Sequence, residues 1–119
     1  MKLPKYVYTD LVRQALAEDL GHGDITSELT IDSSLSGSGR FIAKAPGVVC
    51  GWAVVQEVFR QLNPAIFLDI NHPDGTQVNP GDLLAVISGP VKDLLSGERV
   101  ALNLLQHLSG IASATRELV

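Results

Sequence analysis

The stretch ERVALNLLQHLSGIAS, from Glu98 to Ser113, has the spacing of an amphipathic helix. At about 100° per residue, one apolar stripe collects Ala101, Leu104, Leu105, Leu108 and Ala112. The opposite face carries Arg99, Asn103, Gln106 and Gly110. The stretch therefore predicts a closing helix that starts between Leu94 and Glu98, occupies about residues 95–119 and covers a core with one face.

The polar face of this helix makes Arg99 the candidate binding residue of the chain. A guanidinium group presents a fixed fork of N–H donors that suits a carboxylate or a phosphate. The neighbouring amides of Asn103 and Gln106 can orient a polar ligand that Arg99 holds by charge. Periodicity alone favours a solvated helix face on which Arg99 pairs with Glu98 or with water.

The rest of the chain predicts helices and strands in separate groups. Two more helices are expected, from Thr9 or Asp10 to Leu20 and from Gly51 to Leu62. Extended segments are expected at Arg40–Lys44, Val48–Cys50, Ala65–Ile70 and Leu83–Ile87, and the loosest loop at Ser33–Gly39. Because these strands do not alternate strictly with helices, we predict an α+β fold with an open, mainly antiparallel sheet covered by helices.

Composition limits the organisation and the partners of the chain. A chain of 119 residues with 45% apolar content can bury one core, so we expect a single domain over residues 1–119. The net charge of −4 and the isoelectric point near 5.2 argue against nucleic acid and anionic membranes, since both call for a basic patch. The sequence lacks a membrane span and an apolar secretion signal, which predicts a cytoplasmic protein.

Single titratable side chains are weak candidates for chemistry. Cys50 is the one cysteine, which excludes an internal disulfide and a four-thiolate metal site, and its apolar neighbours predict a small buried residue. His72 is expected in a loop, and His107 is expected to be a hydrogen-bonded structural residue between the two helix faces. Asp93 and Glu98 are expected to complement the dipole at the start of the last helix.

Four potential metal ligands lie close together near the N-terminus: Glu18, Asp19, His22 and Asp24. They are numerous enough for a divalent cation. A helix that ends at Gly21, followed by a turn in which Asp24 or Thr26 accepts backbone N–H bonds, explains their spacing more simply. We therefore predict no metal site here and assign these residues no catalytic role.

Two motifs of the chain resemble those of the quinolinate phosphoribosyltransferases, also called carboxylating nicotinate-nucleotide pyrophosphorylases. One is E-R-x-A-L-N-x-L-x-x-x-S-G-I-A from Glu98, and the other is E-D-x-G-x-G-D-x-T from Glu18 to Thr26. They occur in the family's order, and the resemblance runs from about Tyr8 to Val119. Members of the family are longer and continue into an open α/β barrel. The chain is thus expected to be an N-terminal domain cut from such an enzyme, with an open sheet and a β-hammerhead element.

The resemblance implies a reaction for the complete enzyme. Quinolinate and phosphoribosyl pyrophosphate give nicotinate mononucleotide, pyrophosphate and CO2 in NAD biosynthesis, with Mg²⁺ accompanying the phosphoribosyl pyrophosphate. Arg99 matches a family arginine that binds quinolinate and reaches into the active site of a neighbouring subunit, which implies a homo-oligomer. No catalytic residue is carried onto this chain, and the isolated fragment is expected to bind no cofactor and to be inactive.

Two alternatives stay open. The related protein associated with molybdenum transport shares the architecture. In addition, Asp74 to Ala85 has the pattern D-G-x-x-V-x-x-G-D-x-L of biotinyl and lipoyl carrier domains. Such carriers modify a hairpin lysine, and neither Lys44 nor Lys92 has the expected neighbours. We therefore expect the pattern to indicate barrel-sandwich geometry, with Gly75 and Gly81 turning the chain.

Overall fold

A computed structural model describes the backbone of residues 24–118 and the side chains of residues 24–115. Its elements, in chain order, are β1 (Ile25–Ile31), β2 (Ser36–Ala43), β3 (Gly47–Val48), α1 (Trp52–Leu62), β4 (Phe67–Ile70), β5 (Gln77–Val78), β6 (Leu83–Pro90) and α2 (Val91–Leu118). The helix predicted for residues 9–20, together with Glu18, Asp19 and His22, lies outside the described residues.

Four strands form an antiparallel sheet in the order β1-β2-β6-β4. The short strands β3 and β5 form a separate antiparallel pair, with Gly47 opposite Val78 and Val48 opposite Gln77. One hydrophobic core joins side chains from both helices and from the larger sheet, and the rings of Phe41 and Trp52 meet in it edge to face at 5.9 Å. The predicted α+β class with an antiparallel sheet is confirmed.

The segment Ser36–Gly39, predicted as part of a loop, is instead the first half of β2. A Cβ atom at Gly37 would lie 2.7 Å from the backbone oxygen of Thr30 on β1, and one at Gly39 would lie 3.1 Å from Cγ2 of Ile87 on β6. The glycines therefore occur where neighbouring strands leave little room for a side chain. Tertiary packing overrides their low intrinsic preference for strands.

β1 is a strand that the sequence prediction does not contain. Ile25 is buried and Leu29 packs against the core, whereas Glu28 and Thr30 are exposed, so the strand has the alternation of a half-covered sheet. The inward position between the two apolar residues is held by the polar Ser27. Because this inward residue is polar, the sequence lacks the apolar alternation that would predict a strand. In the structure, the Ser27 hydroxyl donates a hydrogen bond to Glu98 of α2.

The two helices agree with the apolar periodicity, with one shift in a boundary. α1 matches the predicted Gly51–Leu62 segment, but α2 begins at Val91, earlier than predicted, because β6 runs through Pro90 directly into it. Asp93 lies in the first turn of α2, as its expected interaction with the helix dipole requires. Neither helix among the described residues has the combination of length and apolar character that a membrane crossing requires.

Candidate functional site

Arg99 is an exposed residue of α2, and its surroundings differ from those of a fully solvated helix face. Asn103 and Gln106, which share its face, are only 6% exposed. These two amides therefore expose little surface to a ligand, and their role in orienting one stays a prediction. A helical wheel shows which residues share a side of a helix, but it does not show what packs on that side.

Two hydrogen bonds tie the start of β1 to α2 near Arg99. The backbone N–H of Ile25 donates to Oε1 of Gln106 at 3.1 Å, and the hydroxyl of Ser27 donates to Oε1 of Glu98 at 2.9 Å. Glu98 thus binds a strand residue. Because α2 begins at Val91, Glu98 lies beyond its first turn, and the expectation that Glu98 complements the dipole at the helix start is wrong. The motif that starts at Glu18 ends on β1, and the motif that starts at Glu98 lies on α2. These hydrogen bonds therefore join the two sequence motifs.

Gln106 has a further property that its sequence position does not reveal. Its Nε2 atom is buried and has no hydrogen-bond partner among the described residues. Leaving a buried amide donor unpaired costs about 1–3 kcal/mol, so the favourable polar contact of this side chain is the one made by its oxygen, which accepts from Ile25 N–H.

The serines of the S-G-I-A stretch have a structural role that sequence reasoning missed. Ser109 Oγ accepts a hydrogen bond from the backbone N–H of Cys50 at 3.0 Å, and Ser113 Oγ accepts one from Val48 N–H at 2.8 Å. A Cβ atom at Gly47 would lie 2.9 Å from Ser113 Oγ, so the strand and helix approach closely. Two serines four residues apart, at the border of an apolar stripe, are the signal that could have predicted this contact.

The turn that carries the carrier-like pattern caps α1. Oδ1 of Asp74 accepts hydrogen bonds from Gly51 N–H at 2.9 Å and from Trp52 N–H at 3.2 Å, while Trp52 Nε1 donates to His72 O at 2.7 Å. Gly75 has φ 89° and Gly81 has φ 92°, so both turn the chain as predicted. Lys92 lies in α2, and Lys44 lies in the bend between β2 and β3.

Cys50 is a buried structural residue, as predicted. Burial raises the pKa of its thiol, and the nearby carboxylate of Asp74 raises it further. At neutral pH the thiol therefore stays protonated, and a protonated thiol is a poor nucleophile.

The histidines occupy different environments. His72 lies in a loop, as predicted, where Nδ1 is 2.9 Å from Leu83 O and Nε2 is 3.9 Å from Oδ2 of Asp82. His107 is exposed, so its prediction as a hydrogen-bonded structural residue is wrong. Its neighbours Gln106 and Leu108 are buried, so His107 lies on the outward side of α2.

Metal binding finds no support in the part of the chain that the structure describes. Residues 24–118 contain no group of three or more His, Cys, Asp or Glu side chains arranged to hold an ion. Asp24, the one described member of the N-terminal cluster, is exposed, and its backbone oxygen accepts a hydrogen bond from Lys44 N–H at 2.7 Å.

A groove of about 380 Å³ lies apart from Arg99, between α1 and the chain from Pro64 to Leu68. Its polar side contains Glu57, which is 5% exposed. The carboxylate of Glu57 accepts hydrogen bonds from Arg60 Nε and from Gln61 Nε2, both at 2.8 Å. The carboxylate raises the pKa of Arg60. These bonds supply a counter-charge and donors to a buried anion, which gives the pair a structural role.

Comparison with known proteins shows that the chain is similar to the N-terminal part of one group of enzymes. A family model described as quinolinate phosphoribosyl transferase, N-terminal domain, matches residues 24–109. A probable carboxylating nicotinate-nucleotide pyrophosphorylase of Bacillus subtilis is 40% identical over 109 residues, which are 92% of this chain and 37% of that protein. A mitochondrial quinolinate phosphoribosyltransferase of Nicotiana tabacum is 32% identical over 116 residues, which are 97% of this chain and 33% of that protein.

Comparison with solved structures finds similarity to the same group of proteins. NadC from Streptococcus pyogenes aligns with a TM-score of 0.75 and 36% identity over 95% of this chain and 41% of its own. The nicotinate-nucleotide pyrophosphorylase from Francisella tularensis aligns with a TM-score of 0.76 and 30% identity over 99% of this chain and 41% of its own. The chain thus spans 33–41% of the length of these relatives.

Proposed function

Because this chain belongs to the quinolinate phosphoribosyltransferase N-terminal domain family, we propose that it is the substrate-binding and dimerisation domain of such an enzyme. The complete enzyme would convert quinolinate and phosphoribosyl pyrophosphate to nicotinate mononucleotide, pyrophosphate and CO2, in NAD biosynthesis. The observation that carries this proposal is the exposed Arg99 within the family-like motif on α2, next to the bonds that tie α2 to β1. A cytoplasmic location stays a prediction.

The chemistry explains why an arginine is needed. The pyridine nitrogen must meet an anomeric carbon that becomes cation-like as pyrophosphate leaves, while the substrate carboxylates and the departing group gather negative charge. Fixed cationic donors hold these anions in place. With a net charge of −4, this chain is a poor source of them, so Arg99 supplies one donor and the rest of the enzyme supplies the others.

Mg²⁺ would accompany phosphoribosyl pyrophosphate. The described residues of this chain do not fit a magnesium site, because they bring together no group of three or more potential ligands. We therefore assign the ion to the remainder of the enzyme together with the pyrophosphate group.

Arg99 would act on a carboxylate of quinolinate bound in the active site of a neighbouring subunit. An exposed guanidinium on a well-anchored helix can reach beyond its own domain, and a two-fold symmetric dimer would exchange two such arginines. The partners proposed for this domain are thus a C-terminal barrel domain, a second subunit and quinolinate.

The test is quinolinate consumption that depends on Mg²⁺ and on phosphoribosyl pyrophosphate, measured on the longest natural form of the protein. Arg99→Ala should lower kcat/KM by about 30- to 900-fold, since a charge-assisted contact of this kind contributes about 2–4 kcal/mol. Arg40→Ala is the matched control, because Arg40 is 53% exposed on the sheet and pairs with Glu28. A loss below threefold for Arg99→Ala would exclude the proposed role.

Absence of turnover by the longest form would favour the relative associated with molybdenum transport, or a non-enzymatic binding role. The carrier alternative has a separate test in the intact mass of the protein. A biotinyl or lipoyl adduct on Lys44 or Lys92 would support it, whereas an unmodified mass would count against it.

A further inference from the structure

Hydrogen bonds between β1 and α2 lie on both sides of Arg99 along the helix. Ser27 binds Glu98, the residue immediately before Arg99, and the first residue of β1, Ile25, binds Gln106, two turns after it. Because seven residues of an α-helix make nearly two full turns, Gln106 lies within about 20° of Arg99 around the helix axis.

These two hydrogen bonds are suited to fixing the position of β1 against α2. Gln106 is 6% exposed, and its oxygen receives a backbone N–H at the very start of the strand, so sliding of β1 along α2 would leave buried polar groups unpaired. The Ser27 hydroxyl adds a second, part-buried point of attachment at the other end. With two attachment points, the helix segment around Arg99 can neither rotate nor slide freely against the sheet.

We propose that Ser27 and Gln106 are positioning residues that set where α2 presents Arg99 to a substrate carboxylate. The inference rests on the function proposed above. It adds that binding of the pyridine dicarboxylate depends on the β1–α2 attachment, although neither Ser27 nor Gln106 touches the substrate. Positioning effects of this kind are transmitted through Arg99, so they vanish when Arg99 is absent.

The test uses the longest natural form of the enzyme with steady-state kinetics in both substrates. Ser27→Ala should raise KM for quinolinate about tenfold and leave KM for phosphoribosyl pyrophosphate within about twofold, because only the Arg99 contact is displaced. Ser27→Thr keeps the hydroxyl and should restore the quinolinate KM. Ser38→Ala, at a half-buried serine on the neighbouring strand β2, is the matched control and should change neither constant.

A double-mutant cycle separates positioning from general stabilisation. In an Arg99→Ala background, Ser27→Ala should raise the quinolinate KM by less than about twofold. An equal effect in both backgrounds, or a loss confined to kcat with both KM values unchanged, would overturn the positioning role. If Arg99→Ala raises the quinolinate KM and Ser27→Ala does not, positioning is wrong and the proposed function stands. If Arg99→Ala lowers kcat/KM for quinolinate by less than threefold, the proposed function and the positioning role are both wrong.

Discussion

Ser109 and Cys50 are joined by two hydrogen bonds across 59 residues of sequence: Cys50 N–H donates to Ser109 Oγ at 3.0 Å, and the Ser109 hydroxyl donates to Cys50 O at 3.2 Å. One turn further along α2, Ser113 Oγ accepts from Val48 N–H. Hydroxyls on a helix thus take the place of a neighbouring strand along this stretch of backbone, and they attach α2 to the small β3–β5 sheet.

Ser109→Ala should destabilise the chain by about 1–3 kcal/mol, because it leaves the buried N–H of Cys50 without a partner. Urea unfolding followed by circular dichroism measures this change. Ser96→Ala is the control on the same helix, since Ser96 is exposed and its hydroxyl only donates to Lys92 O. It should leave the free energy of unfolding unchanged or raise it by up to about 0.5 kcal/mol. Equal effects of the two substitutions would contradict the role assigned to Ser109.

Gly97 and Gly110 are both in α2, and we expect substitution by alanine to change the stability of the chain in opposite directions at the two positions. A Cβ atom at Gly97 would lie 2.7 Å from Cε1 of Phe59 and 2.8 Å from Cδ1 of Leu62, so Gly97→Ala would push α1 away. We expect a loss of about 1–2 kcal/mol, as overpacking outweighs the better helix propensity of alanine.

At Gly110 a Cβ atom would meet nothing within 4 Å among the described residues, so Gly110→Ala should stabilise the chain by about 0.5–1 kcal/mol. Thermal unfolding of both variants in the same buffer checks the pair. A Gly97→Ala variant as stable as the parent would mean that the two helices separate at little cost.

The sequence predicts those parts of the fold whose residue pattern depends on a single helix, strand or turn. α1 and α2 follow from apolar periodicity over many residues, and the turns at Gly75 and Gly81 follow from the conformational freedom of glycine. The parts that escape prediction depend on contacts between distant elements. β1 contains an inward serine explained only by Glu98, and the glycines of β2 are explained only by the strands beside them.

The candidate site also has a part that the sequence predicts and a part that it does not predict. Arg99 is a candidate from its motif, because a guanidinium on a helix face suits an anionic ligand, and that role stays a prediction. The burial of Asn103 and Gln106 on the same face escapes prediction, since it depends on what packs against the helix. The bond between Gln106 and Ile25 joins residues 81 positions apart, and no local pattern in the sequence announces it.

Asp74→Ala should lower the free energy of unfolding by about 1–2 kcal/mol, because the carboxylate caps the first N–H groups at the start of α1. Asp74→Asn keeps an acceptor oxygen at the same place and should cost less. Asp69→Ala, at an exposed position of β4, is a control for loss of a carboxylate. If Asp74→Ala and Asp69→Ala unfold at the same urea concentration, the cap contributes nothing measurable.

Cys50 should be slow to react with thiol reagents in the folded chain, because the thiol is buried and its pKa is raised. Labelling with iodoacetamide at pH 8 should be slow in buffer and fast in urea, and the chain contains a single cysteine, so one mass increment reports the reaction. Equal labelling rates in buffer and in urea would contradict the burial of the thiol.

The same raised pKa makes stability depend on pH in one direction. Between the thiol pKa of the unfolded chain, about 8.5, and its higher value in the fold, the folded chain binds more protons. The free energy of unfolding should therefore fall as the pH rises through this window, and the contribution is fully present below it. Cys50→Ala removes the titrating group, so the difference between the parent and this variant, measured by urea unfolding from pH 7.5 to 9.5, isolates the effect. A difference that does not change with pH would show that the thiol titrates alike in both states.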